Sequence, residues 1–168
     1  MRVLRVDVAR STGTAYAAGL ARVHAIRFEV FVGEQGVRED EELDDLDARP
    51  GTAHVLVTDD PEDVTGAADL GTARLLADPA HPGVVHATRV AVRGSARRRG
   101  VGRVLMAALE EIALAEHAAG EPASVRVELS AQETAMPFYR SLGYEIGVDR
   151  YLDARIWHRD AVKVLTTS

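Results

Sequence analysis

The chain has 168 residues, of which 46% are hydrophobic and 27% charged; it contains no cysteine and carries a formal net charge of −6. This length suits one domain with a sizeable core, so we expect residues 1–168 to form a single domain. Without cysteine, disulfides, a cysteine nucleophile and a cysteine-ligated metal are excluded. No apolar run approaches the ~20 residues of a membrane span, and residues 1–10 lack the apolar stretch of a signal peptide. We therefore expect a cytoplasmic protein that does not act at a membrane.

The charge is concentrated in two stretches of the chain. Residues 34–47, the acidic segment, contain eight acidic residues and one arginine, Arg38. Residues 93–103, the basic turn, contain five arginines and no acid. Such blocks are usually solvated surface, but they also bind ligands of opposite charge. Both interpretations are open at this point.

The first half of the chain predicts one strand, one helix and two further strands. Valines among polar residues predict a strand over 2–9, and Ser11, Thr12 and Thr14 are candidate N-caps of the helix that follows. This helix is predicted to be amphipathic and to end near Gly33. Its apolar face consists of Tyr16, Leu20, Val23, Ile26 and Val30. The acidic segment has no apolar periodicity, which predicts a long loop with room for a helical turn, and strands are expected at 54–58 and 71–76.

The second half of the chain predicts a strand over 84–92 and an amphipathic helix from Val101 to Gly120. A strand over 125–129, a short helix over 132–142 with Pro137 near its first turn, and two final strands follow. The resulting order is β-α-β-β-β-α-β-α-β-β, without an internal repeat. A meander followed by crossover connections predicts an α/β fold with a mixed sheet covered by helices.

The basic turn lies between the strand over 84–92 and the helix at Val101, and it has the composition of an anion site. Gly100 and Gly102 allow the backbone to approach a ligand closely. The free N–H groups of the first helical turn point toward the same place, and the arginines attract phosphate. A P-loop is excluded because no Gly-Lys-Ser/Thr follows, and the glycine spacing does not match a dinucleotide fingerprint. A solvated turn and an RNA-binding patch are the alternatives to phosphate binding.

Two motifs and the order of elements resemble the GNAT acyl-CoA-dependent N-acyltransferases. Their phosphate loop reads Gln/Arg-x-x-Gly-x-Gly/Ala between a fourth strand and a helix, and Arg97, Gly100 and Gly102 match it. Their later motif, a short helix ending in Tyr and followed by Gly-Phe/Tyr, is matched by residues 138–144. Residues 27–35, and Leu152-Asp153-Ala154 before His158, are similar to the ElaA-like branch. The chain departs from the family at Gln132, where an Asn is common.

The resemblance implies a GNAT fold over residues 1–168 and an acetyl-CoA-dependent N-acetyltransferase whose amine substrate attacks the thioester directly. Acetyl-CoA would lie where strands four and five splay apart, and an amide N–H near Val90 would stabilise the oxyanion. Tyr139 would protonate the leaving thiolate as general acid, although its spacing alone fits an ordinary core tyrosine. No metal is needed. The residues expected to bind the coenzyme are Val90, Ala91, Val92, Arg97, Arg98, Arg99, Gly100, Val101, Gly102 and Arg103.

The acceptor and the general base are less determined. An amine is mostly protonated at neutral pH, so some group must remove a proton. The acidic segment is either solvated surface or part of the acceptor side of the cleft, where it would attract a cationic amine. A polyamine, an aminoglycoside, or a lysine or N-terminal amine of a protein fits its charge. The candidate acceptor-side residues are Glu34, Asp44, Asp45, His54 and His86.

Two other classes of function compete with the enzyme. A non-catalytic sensor module would bind CoA or acyl-CoA without turnover. An RNA-binding protein would use the basic turn, but the negative net charge and an aromatic content of 5% argue against partners made of nucleic acid. A homodimer is compatible with the sequence, which does not determine the oligomeric state.

Overall fold

The structure is a computed structural model that describes residues 1–8, 10 and 13–167. Ala9 of the first predicted strand and the candidate N-caps Ser11 and Thr12 lie outside the described residues. The strands are β1 (Arg2–Asp7), β2 (Ala53–Thr58), β3 (Asp69–Ala77), β4 (Val84–Val92), β5 (Ser124–Gln132), β6 (Glu145–Asp153) and β7 (Ile156–Thr166). The helices are α1 (Gly13–Arg27), α2 (Glu39–Glu42), α3 (Val101–His117) and α4 (Met136–Ser141). The predicted order of strands and longer helices is confirmed, and α2 is the helical turn within the acidic segment.

The chain divides into two compact units. The first unit consists of Met1–Leu76 and Arg89–Leu109, and the second of Ala77–Thr88 and Glu110–Ser168. Strand β4 and helix α3 contribute residues to both. The single domain predicted over residues 1–168 stays a prediction.

In the first unit the strands follow the order β1-β2-β3-β4. β1 pairs antiparallel with β2 from Arg2 opposite Thr58 to Asp7 opposite Ala53, and β2 pairs antiparallel with β3. Every residue of β2 is buried, and so are all but the last of β3. A strand buried on both faces usually reads as a continuous apolar run, yet these two strands also bury His54 and Arg74. The first unit therefore encloses polar groups that need partners.

Helix α1 packs on these strands through the face that its periodicity predicts. Val23 and Ile26 are buried, and Val30 follows in a wider π-helical turn that continues the helix over Phe28–Glu34. Ile26, Val30, Leu56 and Ala91 form one apolar cluster. Arg27 is buried on the same side of the helix, which the apolar pattern does not predict.

In the second unit the strands follow the order β4-β5-β7-β6. β5 pairs antiparallel with β7 along its whole length, from Ser124 opposite Thr166 to Gln132 opposite His158. Its parallel pairing with β4 covers only Val84–His86 against Arg126–Glu128. The last four residues of β5, 129–132, therefore extend past this pairing.

The mixed α/β fold with a mixed seven-stranded topology matches the predicted fold class. Among helices formed by the described residues, none combines the length and apolar character needed to cross a membrane.

Candidate functional site

The basic turn connects the end of β4 to the start of α3, both within the first unit. A 3-10 turn over Gly94–Ala96 is followed by a turn in which Arg98 (φ +62°) and Gly100 (φ +81°) adopt the left-handed conformation. The bond from the Val104 N–H to the Gly100 carbonyl, 3.2 Å long, is made at the start of α3. The N–H groups of Val101 and Gly102 thus have no acceptor within the helix, and the positive end of the helix dipole lies beside them.

Gly71 on β3 allows the start of α3 to pack closely against the strands. A Cβ atom at Gly71 would lie 2.8 Å from the Ala91 carbonyl oxygen and 2.9 Å from Val101 Cγ1. Both distances are shorter than van der Waals contact, so only glycine fits without a shift. Val101 and Leu105 are buried as a result. The first turn of α3 is thereby fixed on a rigid strand while the residues before it stay at the surface.

Arg93, at the start of the basic turn, is part-buried and pairs with Glu29 at 3.0 Å. The other four arginines of the turn are exposed, and Arg97 and Arg99 bond to carboxylates. Arg97 pairs with Glu34 and also donates from Nε to the Val92 carbonyl at 3.3 Å. Arg99 donates to the Asp59 carboxylate at 2.8 Å, and this bond holds the pKa of Asp59 below its usual value. Within the described part of the chain, Arg98 has no hydrogen-bond or ion-pair partner. The basic turn therefore presents guanidinium groups that exposed carboxylates hold only loosely.

Residues 90–92, the predicted partners of the pantetheine arm, follow an irregularity in β4. Arg89 has φ +54°, a left-handed value that is unusual for a non-glycine residue inside a strand. Its side chain lies beside the acidic segment, with Nε 3.0 Å from Glu42 Oε2 and Nη2 3.4 Å from Asp44 Oδ2. These ion pairs help to hold a conformation that is otherwise strained.

Asp47 is the centre of a buried ion network at the end of the acidic segment. Its carboxylate accepts hydrogen bonds from Arg27 Nη1 at 2.8 Å and Arg74 Nη1 at 2.7 Å, and it lies 2.8 Å from His24 Nε2. Burial alone would raise the pKa of Asp47, but the hydrogen bonds from His24, Arg27 and Arg74 outweigh it and hold the pKa far below its usual value. Asp47 is therefore a structural carboxylate.

Glu42 and Asp44 complete the same network. Glu42 is 2% exposed and pairs with Arg27 and Arg89. Asp44 accepts two bonds from Arg74, at 2.7 and 3.0 Å. Burial raises the pKa of Asp44, and the bonds from Arg74 reverse this and lower it. Three carboxylates of the acidic segment thus neutralise three arginines from α1, β3 and β4. This part of the segment is therefore not the solvated surface that one of the two interpretations predicts.

His54 lies beside this network and is fully buried. Its Nε2 is 3.2 Å from the Asp47 carbonyl oxygen, so the tautomer with a proton on Nε2 donates there. Its Nδ1 is buried and finds no hydrogen-bond partner among the described residues. Burial lowers the pKa of His54, which favours the neutral ring. This placement favours a structural role for His54 over contact with an acceptor.

The other acceptor-side candidates remain at the surface. Asp45 is exposed and has no partner in the described part of the chain, while Glu34 pairs with Arg97. His86, in the second unit, stands opposite Glu128 at the last parallel pair of β4 and β5. Its ring nitrogens lie 3.5 Å from Asp78 and 3.8 Å from Glu128. Their contact with a substrate stays a prediction.

Tyr139 lies on α4 in the second unit, with Pro137 at the start of the helix as expected. Its ring is 7% exposed and packs edge-to-face against Phe138, at 5.1 Å between centroids, and Tyr144, at 5.8 Å. Burial raises the pKa of Tyr139 to about 12. None of the described residues forms a hydrogen bond with its hydroxyl. The group is therefore protonated at neutral pH and available to an external partner.

Tyr144 is fixed by groups that the sequence analysis did not single out. Its hydroxyl donates to Glu110 Oε1 at 3.0 Å, and Lys163 Nζ donates to Glu110 Oε2 at 2.7 Å. Burial raises the pKa of Tyr144, and the Glu110 charge adds to the shift. Tyr144 in turn packs against Tyr139, so this cluster fixes one side of the Tyr139 ring.

Arg27 and Arg74 were also missed by the sequence analysis. Arg27 had a usable signal, because it continues the apolar face of α1 at the position between Ile26 and Val30. A long charged residue on an apolar stripe needs a buried counter-ion, and the acidic segment is the nearest cluster of carboxylates in the sequence. Asp59, the partner of Arg99, carried no comparable signal.

Comparison with known proteins gives consistent matches along the chain. The family model described as acetyltransferase (GNAT) domain matches residues 51–146, which include the basic turn and Tyr139. The uncharacterized N-acetyltransferase YjcF of Bacillus subtilis is 34% identical over 139 residues, covering 82% of this chain and 87% of YjcF.

Solved structures give a similar result. An acyl-CoA N-acyltransferase from Pseudomonas aeruginosa is 28% identical, with a TM-score of 0.75 over 96% of this chain and 98% of that one. Escherichia coli ElaA is 22% identical, with a TM-score of 0.75 over 95% and 97% of the two chains, a likeness of fold alone. The predicted likeness to ElaA is confirmed at that level.

Proposed function

The chain belongs to the GNAT acetyltransferase family and is an acyltransferase, and we propose that it transfers the acetyl group of acetyl-CoA to a primary amine by direct attack. The observation that supports this proposal most directly is the set of groups at the start of α3. There, N–H groups without helical acceptors, two left-handed residues and exposed guanidinium groups come together on one rigid support.

The residues of the basic turn fit the pyrophosphate of the coenzyme. A Cβ atom at Gly100 would meet nothing within 4 Å, so the space above the turn is open. The N–H groups from Arg98 to Arg103 would hold phosphate oxygens, and Arg97 and Arg99 would exchange their carboxylate partners for phosphate. The backbone of Val90 to Val92 would pair with the pantetheine arm in the manner of an added strand. The coenzyme supplies an activated acyl group as a thioester.

Tyr139 is the proposed general acid. Its raised pKa keeps the phenol protonated across the physiological range, and its hydroxyl is not committed to another described residue. A thiol has a pKa of roughly 8.5, so proton transfer from this phenol to a free thiolate is uphill by about 5 kcal/mol. Tyr139 would therefore donate while the C–S bond breaks rather than before. An amide N–H near Val90 would stabilise the oxyanion formed on attack.

The acceptor is proposed to be a cationic amine. Glu34 and Asp45 of the acidic segment, and His86 on β4, are surface groups that could contact it. Asp44 and His54 contribute less to this proposal, because ion pairs or burial already occupy them. Polyamines, aminoglycosides and lysine-containing peptides are the classes to test. A CoA-binding sensor would bind acetyl-CoA but release no CoA thiol with any of them.

The phosphate site is tested at Gly100. Because Gly100 has φ +81°, both Gly100→Ala and Gly100→Glu add the same backbone strain, of about 1–2 kcal/mol, but only the second adds a carboxylate. We expect Gly100→Glu to weaken acetyl-CoA binding on the order of 100-fold in calorimetry, and Gly100→Ala to weaken it far less, because charge repulsion acts directly on the phosphates. Equal affinity of the Glu variant and the unaltered protein would exclude the turn as the phosphate site.

The acid role is tested with Tyr139→Phe, which keeps the ring and its edge-to-face packing. We expect kcat to fall roughly 10²-fold while KM for acetyl-CoA stays within about 2-fold, because proton donation acts only in the transition state. Tyr144→Phe serves as the control for loss of a nearby hydroxyl. Unchanged turnover of Tyr139→Phe would leave Tyr139 as a packing residue.

A further inference from the structure

One face of the second unit's strands carries polar side chains that the proposed mechanism does not use. Directly opposed residues of antiparallel strands point to the same face, and Ser130 stands opposite Asp160 and Gln132 opposite His158. Tyr151 on β6 stands opposite the same histidine. The alternate residues of β5, from Val125 to Ala131, are all buried on the other face. The polar set is therefore a distinct surface of β5, β7 and β6.

His158 is a buried titratable group on this face, with 8% of its surface exposed. Its Nδ1 lies 2.8 Å from the carbonyl oxygen of Ile156. A carbonyl oxygen can only accept, so Nδ1 carries the proton and, in the neutral ring, the lone pair lies on Nε2. No described residue bonds to Nε2. The histidine thus has one nitrogen fixed by the backbone and the other open to a partner from outside, the arrangement that a general base needs.

Tyr151 holds the ring of His158 in place. The two rings are stacked, with centroids 6.1 Å apart and an angle of 18° between their planes. The Tyr151 hydroxyl donates to Asp160 Oδ1 at 2.8 Å, so the Ser130 hydroxyl, 2.5 Å away, donates to it. Both hydrogen bonds fix the tyrosine ring, and the tyrosine ring fixes the imidazole plane. A preorganised base loses little entropy when it meets its substrate.

His158 on β7 also lies beside the carboxyl end of β5. Its partner Gln132 is the last residue of the strand, beyond the point at which the parallel pairing with β4 ends at Glu128. A 3-10 turn over Glu133–Ala135 leads from Gln132 directly into α4, which carries Tyr139. The proposed acid and this histidine are thus associated with the same end of the same strand.

We propose that Nε2 of His158 accepts the proton that the ammonium group of the acceptor must lose before attack. The inference rests on the proposed function. His158 takes one proton from the ammonium and passes it to solvent, and the neutral nitrogen forms a C–N bond to the thioester carbonyl carbon. The C–S bond breaks when the resulting oxyanion re-forms the carbonyl. Tyr139 gives its proton to the thiolate and regains one, through water, from the second proton that the nitrogen loses. The products are the amide, the CoA thiol and one released proton.

The charged groups on the strands and turn next to His158 have partners of their own. Asp160 on β7 accepts a hydrogen bond from the Tyr151 hydroxyl, and Gln132 and Ser130 on β5 are neutral. Glu133, which follows β5, is paired with Arg150 and Arg159.

The tautomer is tested first, on the full chain labelled with ¹⁵N-histidine and without any acceptor. We expect NMR to find the His158 proton on Nδ1 at neutral pH, because this nitrogen donates to the Ile156 carbonyl oxygen. A ring that carries its proton on Nε2 would overturn the inference.

The catalytic role is tested with His158→Gln and with whichever of spermidine, kanamycin or a lysine peptide releases CoA thiol with the unaltered protein. We expect kcat/KM for the amine to fall at least about 10²-fold at pH 7 and to recover as pH rises and the free amine accumulates. Acetyl-CoA affinity in calorimetry should stay unchanged. The matched control is His81→Gln, which changes a 69%-exposed histidine that pairs with Asp78 and should leave the profile unchanged.

A further variant, His158→Ala, guards against misfolding as the cause of lost activity, since added imidazole should restore part of its turnover if a base is missing. If imidazole restores no turnover, or if His158→Gln keeps the pH profile of the unaltered protein, His158 is not the base. Either result leaves the proposed function standing. If His86→Gln, rather than His158→Gln, changes the low-pH side of the profile of kcat/KM against pH, the base is His86. If the unaltered protein releases no CoA thiol with any amine, the proposed function itself fails.

Discussion

The acidic segment and the basic turn are both charge-dense stretches of the first unit, and their main ion pairs lie in opposite environments. In the acidic segment, Glu42, Asp44 and Asp47 bond to arginines of which two, Arg27 and Arg74, are almost wholly buried. In the basic turn, Arg97 and Arg99 are 48% and 45% exposed and pair with carboxylates that are exposed as well.

This difference separates charges that stabilise the fold from charges that a ligand can reach. A buried ion pair cannot be broken cheaply, because the remaining charge has lost its water and its partner. An exposed ion pair contributes at most ~1 kcal/mol and exchanges readily with a competing anion. The acidic segment therefore joins α1, β3 and β4, while the basic turn can give up its partners to phosphate.

The largest effect is expected from Arg74→Met, which removes the cation between Asp44 and Asp47. We expect the free energy of unfolding to fall by about 3–5 kcal/mol in urea denaturation, because Asp44 and Asp47 each lose the counter-ion that they share and keep only one arginine apiece. The matched control, Arg99→Met in the basic turn, should change it by less than ~1 kcal/mol. Similar losses in the two variants would contradict the distinction between buried and exposed ion pairs.

An intermediate effect is expected on acid stability. The folded state holds the pKa of Asp47 far below the value of about 3.9 of the unfolded chain, so its stabilisation is present above pH 4 and is lost as pH falls further. Each proton taken up on unfolding gives a slope of about 1.4 kcal/mol per pH unit. Asp47→Asn should reduce this slope between pH 4 and 2. Asp40→Asn, at an exposed pair with Arg38, should keep it.

The smallest effect is expected from Glu34→Gln, which releases Arg97. Acetyl-CoA should bind about 2–3-fold more tightly in dilute buffer, because phosphate no longer displaces a carboxylate, and the gain should disappear near 1 M salt. Glu39→Gln removes an exposed acid of the same segment and is the control for net charge. Weaker binding by Glu34→Gln would show that Glu34 orients Arg97 instead of competing for it.

The elements themselves followed from local patterns. The valine-rich run over 84–92 predicted strand β4, and the spacing of apolar residues predicted helix α1. Both predictions succeeded because hydrophobic periodicity and secondary-structure propensity depend on residues that are close in sequence. Boundaries were less well predicted: β5 extends to Gln132 rather than 129, because cross-strand bonds to β7 continue there. The short helix begins at Met136 because a 3-10 turn precedes it.

The two motifs of the candidate site lie on the elements that the sequence predicts for them. Gly100 directly precedes α3, in a left-handed conformation, and Tyr139 stands on its short helix. The partners of these residues could not be predicted, because Asp59, Glu110 and Lys163 are distant in sequence and common at surfaces. His158 showed a family likeness, but its tautomer depends on how its ring is oriented toward the carbonyl oxygen of Ile156, two residues earlier on β7.

The sequence by itself determined the order of elements, the position of the basic turn at the start of α3 and the family, because each depends on residues close together in the chain. The net charge of −6 does not indicate which charged side chains are buried and which are exposed. Only the tertiary structure decided which charges are buried, since that depends on which distant residue meets each one. Desolvation makes that meeting decisive, because a carboxylate beside Arg74 stabilises the fold while the same carboxylate on the surface remains available for a ligand.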